Sequence, residues 1–173
     1  MGEIRACHGD DQAVILSIIN EAADAYRGVI PPDRWHEPYM GSGELQGEID
    51  AGVGFWGYEL EGTLVGVMGI QRVRDVDLIR HAYVRPAGQR HGVGRAQLEH
   101  LRSRSTRRML VGTWAAAEWA VRFYLRHGFE LVSRERTVAL LRTYWTVPDA
   151  QIETSVVLAN PPLPTTPDSG AQQ

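Results

Sequence analysis

The stretch Tyr83-Val84-Arg85-Pro86-Ala87-Gly88-Gln89-Arg90-His91-Gly92-Val93-Gly94-Arg95-Ala96 constrains this chain more than any other. It reads as a strand end, a glycine-containing loop and a helix start. Leu78, Ile79, Ala82, Tyr83 and Val84 form an apolar run suited to a buried strand. Pro86 has no N–H and holds Arg85 extended, so the strand stops there. Gly88, Gly92 and Gly94 permit a tight turn and a close approach of backbone to a ligand. Leu98 and Leu101 then share one face, which predicts a helix from about Gly92. Loop amides and the positive end of that helix converge on one point, a site for a phosphate or pyrophosphate.

The spacing is neither G-x-G-x-x-G nor a P-loop. Gln89-x-x-Gly92-x-Gly94, after Val84-x-Pro86, resembles the signature loop [Gln/Arg]-x-x-Gly-x-[Gly/Ala] of the GCN5-related N-acetyltransferase (GNAT) family. A second segment, Ala120-x-x-Phe123-Tyr124-x-x-x-Gly128-Phe129, resembles that family's A-x-x-[Phe/Leu]-Tyr-x-x-x-Gly-Phe. Order and separation of the two agree with the family, whereas Ala117 stands where it often has Asn. The resemblance implies an α/β fold with a mixed sheet of about seven strands, splayed at its centre and flanked by helices. It also implies that acetyl-CoA is the co-substrate, with its pyrophosphate on the loop amides. Tyr83, Val84, Gln89, Arg90, His91, Gly92, Val93, Gly94 and Arg95 are then the expected coenzyme-binding residues.

A chain of 173 residues, 43% hydrophobic and 23% charged, suits one domain with a real core. Residues 1–159 are expected to form it. From Asn160 onward Pro, Thr, Ser, Gly and Gln give no core pattern, and a disordered tail is expected. A net charge of −3 gives no footprint for nucleic acid. All basic residues are arginine, and Cys7 is the only cysteine, so no internal disulfide and no cysteine-based metal motif exists. No apolar run reaches membrane-spanning length and no signal peptide is recognisable, so a cytoplasmic location without membrane partner is expected.

In chain order, Glu3 to Cys7 reads as a short strand, and Ile15, Ile18, Ile19, Ala22 and Tyr26 mark a helix over 11–26. Pro31, Pro32 and Pro38 break the next segment, where Trp35, Glu37 and Tyr39 either seal the core edge or form an acceptor-binding wall. Gly43 to Ala51 reads as a second helix, with Leu45 and Ile49 inward and Gly52 as its stop. Val53–Leu60 and Thr63–Gln71 form a hairpin around Glu61-Gly62, in which Gly66 and Gly69 mark bulges or close approaches. Asp77–Val84 is the central strand. Met109–Trp114 is a buried parallel neighbour reached by a right-handed crossover. Ala117–His127 is a helix capped by Gly128, and Phe129–Ser133 a strand. Glu135–Trp145 reads as an extra helix before the last strand, either packing filler or a cap over the acceptor cleft. Pro148 is read as its end, and Ile152–Ala159 as the last strand.

Acyl transfer needs a base for the acceptor amine, a donor for the thioester oxygen and an acid for the leaving thiolate. The resemblance makes Tyr124 the candidate acid and the backbone N–H of Val84, or its neighbour Tyr83, the donor. The family's strand carboxylate falls at Leu78 here, so the base is not carried over. His81 is a candidate, with Asp77, Glu59 and Glu37 as others. The expected activity is transfer of acetyl to an amine of a small molecule or peptide, by direct attack in a ternary complex. The alternative is a non-catalytic acyl-CoA-binding module. Arg72, Arg74 and Arg80 favour an anionic acceptor, Asp33 and Glu37 a cationic one, and the two signals do not separate. A homodimer through an exposed last strand is expected by analogy, and no metal.

Overall fold

The computed structural model describes residues 2–165. Its strands are β1 (Glu3–Ala6), β2 (Val53–Leu60), β3 (Thr63–Val73), β4 (Val76–Val84), β5 (Arg108–Trp114), β6 (Glu130–Leu131) and β7 (Ser155–Asn160). Its α-helices are α1 (Gln12–Ala23), α2 (Ser42–Asp50), α3 (Val93–Arg104), α4 (Glu118–Arg126), α5 (Arg134–Tyr144) and α6 (Asp149–Glu153). The strands form one sheet in the order β1-β2-β3-β4-β5-β7-β6. Only β4 and β5 pair in parallel. Helix α3 joins them, because parallel neighbours cannot be linked by a tight turn.

Local chemistry sets most boundaries. Glu61 and Gly62 both take positive φ (49° and 77°), as a two-residue hairpin turn requires, so β2 and β3 pair around them. Gly52 (φ 102°) follows α2 and Gly128 (φ 87°) follows α4. Gly66 and Gly69 are points of close approach. A Cβ on Gly66 would stand 2.8 Å from Val93 of α3, and one on Gly69 would stand 2.8 Å from the Arg80 carbonyl. The absent side chains let α3 lie close on β3 and let β4 bulge.

Helices cover both faces of the sheet. Ile15, Ile18 and Ile19 of α1 pack with Leu45 of α2 against Phe55 and Val67. Leu98 and Leu101 of α3 pack with Met68, Ile79 and Tyr124. Both leucines are wholly buried, each stabilising the fold by roughly 1.5–3 kcal/mol. Leu141 of α5 and Ile152 of α6 cover Leu110 and Val157.

The second half departs from several expectations. The strand predicted over Phe129–Ser133 is only Glu130–Leu131. Pro148 is the N-cap of α6, which takes the first residues predicted for the last strand. An apolar run of six to eight residues does not by itself distinguish a short buried helix from a strand. The last strand is also not an exposed edge: β7 lies between β5 and β6. The dimer expectation therefore loses its argument, since the sheet's edges are β1 and β6. Asn160, placed in the tail by composition, pairs with Met109 in β7, and its amide donates to the Gly128 carbonyl. Residues 166–173 of the expected tail lie outside the described residues. Among the described residues no helix is long and apolar enough to cross a membrane.

Candidate active site

The sheet opens at its centre. The β4–β5 ladder pairs Val76–Ile79 with Arg108–Val111 and goes no further. Beyond Ile79, β4 keeps only β3, as far as Gly66 opposite Val84. Beyond Val111, β5 keeps only β7, as far as Trp114 opposite Ser155. A bulge accompanies the parting. Arg80 opposes Gly69 and Tyr83 opposes Val67, so His81 and Ala82 share the single partner position at Met68. His81 carries the extra turn with φ 49°, a left-handed conformation for a residue with a side chain. An extra residue raises the local twist and bends the strand, which carries the end of β4 away from β5.

The gap is a cleft of about 710 Å³. Its strand walls expose backbone that a continuous sheet would have paired. Arg85 N–H donates to Val65 O at 2.8 Å, on the β3 side. Ladder bonds alternate, so the Val84 N–H faces the other way, toward the cleft. The Val84 carbonyl accepts from Gln89 Nε2 at 3.2 Å, which folds the loop back on the strand end.

The loop leads straight into α3. Pro86–Gly88 make one 3-10 turn, and Arg90 (φ 66°) and Gly92 (φ 76°) turn the chain left-handed. Gly92 is the N-cap of α3 and has no side chain to bond the first amides. The first intrahelical bond runs from Ala96 N–H to Gly92 O at 3.0 Å. Val93, Gly94 and Arg95 therefore point their N–H groups out of the helix start with no intrahelical acceptor. Gly94 sits against α4, since a Cβ there would lie 3.4 Å from the Phe123 ring. Of the nine residues expected to hold the coenzyme, Tyr83, Val84, Gln89, Arg90, Gly92, Val93, Gly94 and Arg95 line the cleft; His91 does not.

Tyr124 of α4 faces the same cleft from the β5 side. Its ring packs edge-on against Phe123 and Phe129, and only 5% of the residue is exposed. Burial pushes its phenol well above the usual tyrosine range, so it is protonated at every physiological pH.

His81 lines the cleft, and its Nε2 is buried without a hydrogen bond. That nitrogen lies 3.2 Å from Glu48 Oε2, close but outside hydrogen-bond geometry. Arg80 donates to the same oxygen at 2.7 Å. His81 and Arg80 hold the Glu48 carboxyl below the usual carboxylate range, against the opposing effect of burial. The bulge explains how neighbouring residues 80 and 81 both reach one carboxylate, because it suspends the strand's alternation. Glu48 was missed in the sequence. The available signal was its position beside Leu45 and Ile49 on the inward face of α2, where a carboxylate needs partners.

The other base candidates stand elsewhere. Asp77 is buried on the paired half of β4 and accepts from Ser105 Oγ at 2.6 Å. Glu59 accepts from Arg5 at 2.9 Å, at the β1 edge. Glu37 is exposed, bonded by Arg27 at 2.5 Å and by the Trp35 indole at 3.0 Å. Of the expected acceptor wall, Tyr39 lines the cleft, whereas Trp35 backs it at 5.6 Å between ring centres and Glu37 stands behind Trp35. From the helix before the last strand, Leu141 and Trp145 reach the cleft, and Trp145 lies over the bare Gly112 of β5. Tyr144 instead donates to Asp75 at 2.7 Å, outside it.

A family profile described as "Acetyltransferase (GNAT) domain" matches residues 11–143, more than half of the chain. The chain belongs to this family of acetyltransferases. No curated protein sequence matches it. Solved structures share its fold at low identity. PaiA N-acetyltransferase from Thermoplasma acidophilum, in complex with coenzyme A, has a TM-score of 0.68 at 15% identity, over 92% of this chain and 98% of that one. A GNAT-family acetyltransferase from Staphylococcus aureus gives 0.68 and 15%, over 92% and 99%. The ribosomal-protein-S18-alanine N-acetyltransferase from Escherichia coli gives 0.63 and 19%, over 92% of each chain.

Proposed function

We propose that this protein transfers the acetyl group of acetyl-CoA to an amine by direct attack in a ternary complex. The observation that carries the reading is the coincidence of two features. Unpaired backbone lines the gap between β4 and β5, and the uncapped amides of Val93–Arg95 open at one end of it. A diphosphate fits those amides and the helix's positive end. The free edge of β4 fits the amide-bearing arm of a pantetheine, which can replace the missing strand's hydrogen bonds.

The chain's own groups then divide the work. Val84 N–H, fixed by the strand, donates to the oxygen that gains charge as the thioester carbonyl becomes tetrahedral. Tyr124 O–H donates to the departing sulfur. Its raised pKa suits a leaving thiolate in the same cleft, because burial raises a thiol as well; Cys7 elsewhere in this chain is pushed up to about 11 by burial. His81 takes the proton of the attacking amine, with the Glu48 carboxylate 3.2 Å behind its ring.

Release of free thiol from acetyl-CoA, followed with and without an amine, tests the reading. We expect amine-dependent release. Tyr124→Phe should lower kcat about 10²-fold or more while leaving the KM for acetyl-CoA within a factor of a few. A stabilising thermal shift by acetyl-CoA without turnover on any amine would favour a binding module instead.

A further inference from the structure

Where β4 and β5 part, the cleft is walled by rings. Tyr26, Tyr39 and Tyr83 form a mutual cluster with centroids 6.2–6.4 Å apart, and the Tyr83 hydroxyl donates to the Tyr39 oxygen at 3.3 Å. Trp119, at the start of α4, reaches across to 5.1 Å from Tyr26 while remaining 45% exposed. Trp114 and Trp145 complete the wall from the β5 side. All six line the cleft.

Formal charge is distributed otherwise. Among the described residues no Asp or Glu lines the cleft. The Glu48 carboxylate, behind the cleft wall, is paired with Arg80 and faces His81. Arg80 is itself engaged, donating to Glu48 and to Gln71 Oε1, both at 2.7 Å. Arg90 and Arg95 belong to the loop and helix start, at the diphosphate end. Arg126, in the last turn of α4, is a further cation on the cleft wall. A second ammonium on an acceptor would find no carboxylate lining the cleft. A flat apolar body finds three phenol rings and three indoles.

We propose that the acceptor is a primary amine carried on an aromatic ring by a short alkyl arm, an arylalkylamine. The ring stacks among Tyr26, Tyr39 and Trp119, and the amine reaches toward His81 and Val84. Offset and edge-to-face ring contacts supply selectivity that an aliphatic chain of equal size does not gain. The ring faces also attract the ammonium form before it loses its proton. The proposal rests on the acetyltransferase reading of the same cleft.

The test is thiol release with a matched amine panel at fixed acetyl-CoA. The panel holds 2-phenylethylamine, tryptamine, n-octylamine, spermidine, glutamate and a short peptide with an N-terminal tryptophan. We expect kcat/KM for the two arylalkylamines to exceed that for n-octylamine and spermidine by about tenfold or more, since each 1.4 kcal/mol of ring contact is a factor of ten. Tyr39→Leu, or Tyr26→Leu if the first fails to fold, should raise the KM for tryptamine about tenfold and leave that for acetyl-CoA unchanged. Preference for the peptide would assign the same ring chemistry to a polypeptide N-terminus and overturn the small-molecule assignment. Preference for spermidine, glutamate or n-octylamine overturns the acceptor class and leaves the acetyltransferase reading standing. No transfer to any amine overturns both.

Discussion

His81 occupies a left-handed backbone conformation in mid-strand, which costs a residue with a side chain of order 1–3 kcal/mol. The surrounding ladder on either side enforces it, and the outcome is a ring held between Phe55 and Glu48 on the wall of the cleft. The proposed pairing of His81 with Glu48 makes two linked statements. Glu48 has a depressed folded pKa, so its contribution to stability is complete above its unfolded value of about 4.3 and is lost as pH falls through the folded value. Unfolding midpoints of the wild type and Glu48→Gln should therefore differ near about pH 7 and draw together as pH falls through the folded value of Glu48. If Glu48 also positions the base, Glu48→Gln should lower kcat while leaving the KM for acetyl-CoA unchanged. An unchanged kcat would leave Glu48 with the structural part alone.

At the scale of the element, the β4 bulge connects sequence to site. It needs Gly69 on the facing strand, where any Cβ would come within 2.8 Å of both the Arg80 carbonyl and Val53 Cγ1. Neither backbone nor a β-branched side chain can move aside cheaply. Gly69→Val should destabilise the fold by roughly 1–3 kcal/mol, the usual cost of overpacking, read as a lowered urea midpoint. It should also weaken acetyl-CoA binding, since straightening β4 closes the gap. Tight binding in a folded Gly69→Val variant would show that the gap does not depend on the bulge. Gly66 and Gly69 stood out in the sequence as breaks in an apolar run, and the structure gives each its reason. The bulge itself was not legible, because φ at His81 is imposed by ladders on both sides of it and not by histidine. Glu48 was hidden for a related reason: its partners Arg80 and His81 lie more than thirty residues away and meet it only through that bulge.

Across the whole molecule, the two motifs read from sequence lie on the two sides of one gap. The Gln89–Gly94 loop closes the β4 side, and Phe123, Tyr124 and Gly128 order the helix on the β5 side. Their spacing was legible because each depends on short-range chemistry: a proline that ends a strand, glycines that turn left-handed, rings repeated along one helix face. The last fifty residues were harder. Six-residue apolar runs there serve as strand or helix according to what the sheet still needs, and β7's place between β5 and β6 is decided by long-range pairing on the edge of β5 opposite β4. The unpaired edge of β4 and the free amides of α3 thus open on one gap.

The most direct test of that account is a crystal structure of the protein with coenzyme A. The account predicts the diphosphate on the amides of Val93, Gly94 and Arg95, the pantetheine arm along the free edge of β4, and the sulfur between Val84 N–H and the Tyr124 hydroxyl. A diphosphate bound away from the start of α3, or a gap that closes by extending the β4–β5 ladder past Ile79, would contradict it.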